Sequence, residues 1–152
     1  MHIRLAKDTD KMQILNLLDE LITEVNIKSK QQTKTSKNRK EQEQRFDELI
    51  KRDEVKIFVA EEGNRLLGVA DLFILPLMRR GYYQGHLEDL VVTEDMRGKG
   101  IGSQLLSAVK TYCKNRGIPV LKLNSGVYLP EAHSFYEKHG GVFTEKMFRF
   151  DL

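Results

Sequence analysis

Three glycines at alternating positions, in Arg97-Gly98-Lys99-Gly100-Ile101-Gly102-Ser103, stand between an apolar, strand-like stretch (residues 87–92) and a stretch of helical periodicity. Glycine lets a backbone turn sharply and point successive N–H groups at one spot, and the first turn of a following helix adds the positive end of its dipole. Residues 97–103 therefore read as an anion cradle suited to phosphate, with Arg97 and Lys99 adding full charges. Spacing argues against two nucleotide loops. A Walker A loop needs Ser or Thr directly after Gly-Lys, but Lys99 is followed by Gly100. A dinucleotide fingerprint needs G-x-G-x-x-G and an acid ending the next strand, whereas the glycines here fall at 98, 100 and 102 and that strand ends at Asn124.

Upstream of the cradle, simple alternation along a strand puts His86, Glu88, Leu90 and Val92 on one face and Leu87, Asp89 and Val91 on the other. The adjacent acids Glu88 and Asp89 are thus expected to point opposite ways, and Asp89 to pair with a cation on the helix side. Downstream, Ala132, Phe135, Tyr136 and His139 recur at helical spacing and form a core-like face. His133 and His139 have no spacing that suggests a metal, and no metal is expected. Cys113 is the single cysteine, which leaves no intrachain disulfide framework and reads as a buried thiol.

The elements that position these groups follow from periodicity. Residues 2–5 alternate as a half-buried strand, and Asp8 or Thr9 then caps a helix carrying Met12, Leu15, Leu18, Leu21, Ile22 and Val25. Residues 27–40 hold six cations (Lys28, Lys30, Lys34, Lys37, Arg39 and Lys40) without an acid or an interleaved aromatic, so a solvated loop is expected rather than a nucleic-acid patch. A second helix runs to about Arg52, with Phe46, Leu49 and Ile50 on one face. Val55, Ile57 and Val59, the turn Glu62-Gly63-Asn64 and an apolar run over residues 66–75 predict a hairpin. Ile101, Leu105, Ala108, Val109 and Tyr112 predict a helix ended by Gly117 and Pro119. A strand over residues 120–123, a helix from Pro130 closed by Gly140, and strands at Val142-Phe143 and residues 147–150 complete the chain.

Arg97, Gly100 and Gly102 match Arg or Gln, two residues, Gly, one residue, Gly or Ala, and Phe135-Tyr136 stands four residues before Gly140 with Ala132 one turn earlier. With these two motifs the chain resembles the GNAT superfamily of acetyl-CoA-dependent N-acetyltransferases over nearly its whole length. The resemblance implies an α/β (α+β) fold in one domain over residues 1–152, with a mixed, mostly antiparallel central sheet flanked by about four helices. It also implies an enzyme moving an acetyl group from acetyl-CoA to a primary amine by direct attack. Glu88 then takes the role of general base, directly or through a water, with His86 the competing base. Tyr136 becomes the general acid to the CoA thiolate. Acetyl-CoA would lie along Leu90, Val91, Val92, Arg97, Gly98, Lys99, Gly100, Ile101, Gly102 and Ser103, with a main-chain N–H near Val92 facing the thioester oxygen. Many members carry Asn where this chain has Leu129. Leu87-Glu88-Asp89 also resembles the corresponding strand of diamine (spermidine/spermine) acetyltransferases, which favours a small or polyamine-like acceptor. Peptide or protein amines, and a catalytically silent CoA sensor, remain alternatives.

Composition bounds the partners. The 152 residues suffice to bury about 70% of the unfolded chain's surface in one core. Twenty-five Lys plus Arg against twenty-two Asp plus Glu give a net charge of +3, which selects no polyanion. Residues 72–75, closed by Pro76-Leu77-Met78, fall far short of the ~18 apolar residues of a membrane span. Arg4, Lys7, Asp8 and Asp10 break any signal-peptide core, so a cytoplasmic location is expected, with neither nucleic acid nor membrane as partner. Exposed apolar strands near the C-terminus would suit a homodimer.

Overall fold

The structure is a computed structural model that describes residues 1–30 and 38–151. Five strands form one sheet in sequence order: β1 (His2–Leu5), β2 (Val55–Glu62), β3 (Arg65–Leu77), β4 (Tyr82–Val92) and β5 (Leu121–Leu123). The first four are antiparallel neighbours and β5 joins β4 in parallel. Helices α1 (Lys11–Ser29) and α2 (Arg39–Leu49) cover one face of the sheet, while α3 (Ile101–Asn115) and α4 (Pro130–Lys138) serve the other. This is the α/β sheet-and-helix arrangement that the resemblance implies.

Strand alternation separates the two cores. Val55, Ile57 and Val59 of β2 pack with Ile14, Leu17 and Phe46, whereas Phe58 and Ala60 pack with α3. In α3, Ile101, Leu105, Val109 and Cys113 recur every four residues and are all buried, which makes one apolar stripe. Ile14, Leu15 and Leu17 are the buried residues of α1, and Met12, expected on that face, is half exposed. A single 3₁₀ turn, Asp8–Asp10, precedes α1, and the Asp10 carboxylate rather than Asp8 or Thr9 accepts the Lys7 N–H there. The basic stretch differs from its expectation at both ends. Ile27 and Lys28 continue α1, Arg39 and Lys40 begin α2, and residues 31–37, with Lys34 and Lys37, lie outside the described residues.

Two further expectations are corrected. Val142, Phe143 and residues 147–150 form no strand; they are irregular, and Val142, Phe143, Met147, Phe148 and Phe150 are strongly exposed. β-Propensity alone does not make a strand without a neighbour to complete the ladder. The second correction is a β-bulge. β3 and β4 pair Ala70 with Leu90 but Leu72 with Leu87, so Asp71 alone faces both Glu88 and Asp89. The extra residue breaks the alternation once. Leu87, Leu90 and Val92 consequently share the α3 face, and Glu88 and Asp89 fall together on the α1–α2 face with His86 and Val91.

Candidate active site

The bulge lies where β4 and β5 part. β5 pairs only with Gly85, His86 and Leu87, so beyond Leu87 the β5-side edge of β4 is open. Thr93 donates its N–H to Leu67 on β3, and ladder alternation then turns the N–H of Leu90 and Val92 away from β3, toward that open edge. A cleft of about 280 Å³ follows the edge. It is walled by Glu24 and Lys28 of α1, by Glu88, Asp89, Leu90, Val91 and Val92 of β4, by Arg97, Asn124 and Ser125, and by Leu129 and Tyr136 of the α4 region.

Glu88 is exposed, and one of its carboxylate oxygens lies 3.0 Å from His86 Nε2. The two candidate bases thus form one hydrogen-bonded pair. Asp89 has no cationic partner among the described residues; its own N–H donates to Asp71 Oδ1 at 2.7 Å. Burial, then the charge of Glu88, pushes the Asp89 carboxyl up to about 6, while burial and then the charge of Asp89 push Asp71 up to about 7. The Tyr136 phenol is raised above its ordinary value by burial and by the charge of Asp89, and it keeps its proton at neutral pH.

The glycine loop places its residues differently from one another. Gly98 and Gly100 have φ of 75° and 80°, a left-handed conformation in which a side chain would be strained, and the space around both is open. Gly100 caps α3, whose first-turn amides at Ile101, Gly102 and Ser103 have no intrahelical acceptor. The Ile101 side chain is core, leaving only its backbone for a ligand. Gly102 stands beside Phe135 and Leu90 with room for a Cβ at ordinary van der Waals distance, so it serves the site through its N–H. Lys99 is exposed, with Nζ 3.3 Å from Met96 Sδ. Arg97 turns back instead of outward: Nε donates to the Val92 carbonyl, and Nη2 lies 2.8 Å from a Glu24 carboxylate oxygen. Burial, which opposes ionisation of Glu24, is outweighed by Lys28 and Arg97, so that carboxyl lies below its ordinary value.

A family model for the acetyltransferase (GNAT) family matches residues 20–141. The chain belongs to the GNAT acetyltransferase family. Glucosamine 6-phosphate N-acetyltransferase of Trypanosoma brucei brucei is 34% identical over 98 residues, which cover 64% of this chain and 65% of that protein. Aminoalkylphosphonate N-acetyltransferase of Salmonella typhimurium is 28% identical over 92 residues, covering 60% and 58%. The chain therefore matches less than two thirds of these curated relatives' lengths. A tetramutant of the BH1408 protein of Bacillus halodurans superposes over the whole of both chains with a TM-score of 0.86 at 19% identity, a likeness of fold.

Three features of this GNAT chain fit an acyl-CoA. The open β4 edge offers main-chain hydrogen bonds to an extended arm, and the α3 amides offer them to phosphates. Third, Ser125 Oγ, which lines the cleft, is buried without any hydrogen-bond partner. Leu129, the N-cap residue of α4, brings no polar side chain to that wall, and the Ser125 hydroxyl stands four residues before it.

Three participants escape periodicity: Asp71, inside the apolar run 66–75; Ser125; and Glu24, the partner of Arg97. Asp71 alone left a signal, as the one charge in that run.

Proposed function

We propose that this GNAT protein transfers an acetyl group from acetyl-CoA to the primary amine of a small molecule. The observation that carries this reading is the open edge of β4, where an amide-lined slot, a carboxylate and a protonated phenol border one cleft. Acetyl-CoA supplies a thioester acyl donor. The backbone of residues 97–103 would hold its phosphates, with Leu90, Val91 and Val92 along its arm. Glu88 accepts the amine proton, directly or through one water, and its hydrogen bond to His86 lets the pair share the charge. As the amine nitrogen bonds to the acetyl carbon, the Val92 N–H faces the oxygen that gains negative charge. When the carbon–sulfur bond breaks, Tyr136, which still holds its proton at neutral pH, gives it to the departing thiolate.

The relatives' named substrates, glucosamine 6-phosphate and aminoalkylphosphonates, support a small acceptor. A cytoplasmic location belongs to the same proposal, supported by a single, buried, unbridged cysteine. Among the described residues no helix is long and apolar enough to cross a membrane. The exposed apolar residues after Gly141 support a homodimer built through them.

The test is to incubate purified protein with acetyl-CoA and single amines, following thiol release and the mass of the product. An amine heavier by one acetyl group, formed in step with thiol, is expected. Thiol release independent of the amine would contradict the proposal.

A further inference from the structure

A second cavity, of about 380 Å³, opens between α1, α2 and the sheet. Its walls are mainly aliphatic and aromatic, with Leu18, Leu21, Ile22 and Phe46 on the helix side, and at its sheet side stand Asp71 and Asp89. Asp89 and Leu21 line this cavity and the cofactor cleft alike, so the two spaces meet at the bulge. The carboxyl pair thus lies at the junction of an apolar chamber and the proposed site of acetyl transfer.

We infer that this chamber is the acceptor site, and that it takes a primary amine on an apolar body, its ammonium group oriented by Asp71 and Asp89. The inference rests on the acetyl-transfer reading and narrows its acceptor. Charge complementarity carries it: two carboxyls at the inner wall of an apolar space match a cation at one end of an uncharged body. The size agrees, since a cavity of about 380 Å³ falls within the ~300–1,000 Å³ of small-molecule sites. An acceptor ending in phosphate matches it poorly. Among the described residues only one cation, Arg45, borders the chamber, and it is ion-paired to Glu48, while Glu41 adds a further acid. Asp71 and Asp89 act here as positioning residues; Glu88 remains the base.

The experiment compares n-propylamine through n-octylamine, 2-phenylethylamine, spermidine, glucosamine 6-phosphate and 2-aminoethylphosphonate with the wild-type protein at saturating acetyl-CoA. kcat/KM is expected to rise roughly three- to four-fold per methylene until the chamber is full, and to exceed the values for the phosphorylated amines and spermidine. Asp71→Asn should raise KM for the alkylamines about tenfold or more, with kcat changed little and CoA affinity, by calorimetry, unchanged. A flat or falling alkyl series, or a phosphorylated amine, polyamine or peptide as the best acceptor, overturns the acceptor assignment and leaves acetyl transfer standing. So does acetyl-CoA binding with no turnover of any alkylamine. Absence of both acetyl-CoA binding and thiol release overturns the transfer reading, and this inference with it. Should Asp71→Asn not fold, the alkyl series on the wild-type protein decides alone.

Discussion

Asp71 and Asp89 carry a measurable stability signature whatever ligand they meet. Both carboxyls hold their protons more tightly in the folded chain, to about 7 and about 6, than an unfolded Asp does near ~3.9. For such groups the folded state binds more protons than the unfolded one between those values, so their contribution falls as pH rises from about 4 to about 7. Carboxyls held below their ordinary values, such as Asp10 and Glu24, titrate under that window and do not mask it. Asp71→Asn should therefore lose less stability than the wild type between pH 5 and pH 8, by on the order of 1–2 kcal/mol, in urea titrations at the two pH values. Parallel losses in both proteins would show that Asp71 is solvated. At Tyr136 the test is kinetic. A phenol kept protonated by burial and by the charge of Asp89 is ready to act as an acid, so Tyr136→Phe should lower kcat by about 10²–10⁴-fold with little change in CoA affinity. Wild-type turnover in that variant would return Tyr136 to a packing role beside Phe135.

The order of elements is readable along the chain because each strand or helix has its own period and a glycine or proline at its end. Gly63 at the β2–β3 turn, Gly117 after α3 and Pro130 at the start of α4 stand where expected. The bulge was not readable. Whether Glu88 and Asp89 alternate or sit together depends on which residues of β3 face them, and that pairing is a property of two strands rather than one. The C-terminal residues failed for a related reason, since an alternating pattern does not supply a partner. The anchoring of β1 is also tertiary. Arg4 forks onto Asp10 at 2.6 and 3.0 Å and reaches Glu61 of β2 at 2.6 Å, joining β1, β2 and the start of α1. Arg4→Ala strands the buried Asp10 and should cost about 3 kcal/mol at pH 7. A carboxylate held down by its partner contributes above its unfolded pKa and loses that contribution as pH falls. The gap between variant and wild type should thus narrow below about pH 4, and a pH-independent gap would assign the loss to packing alone.

At the scale of the molecule, the bulge stands where two spaces meet: the proposed donor cleft, along the open edge of β4 between α1 and α4, and the proposed acceptor chamber, on the α1–α2 face of the sheet. The exposed Phe143, Phe148 and Phe150 bear on assembly. If they seat against a second copy, light scattering on the parent chain gives a dimer and replacing all three by Ser gives a monomer; a monomeric parent removes the dimer from the account. If the loop and first turn of α3 hold the phosphates of CoA, calorimetric titration of CoA will distinguish the wild type from Gly100→Asp. Asp at that position adds a negative charge beside the free amides and a side chain at a φ of 80°. One CoA per wild-type chain is expected, with binding at least about tenfold weaker in the folded variant. Equal affinity in the two proteins, or no binding by the wild type, would rule out this placement of the phosphates.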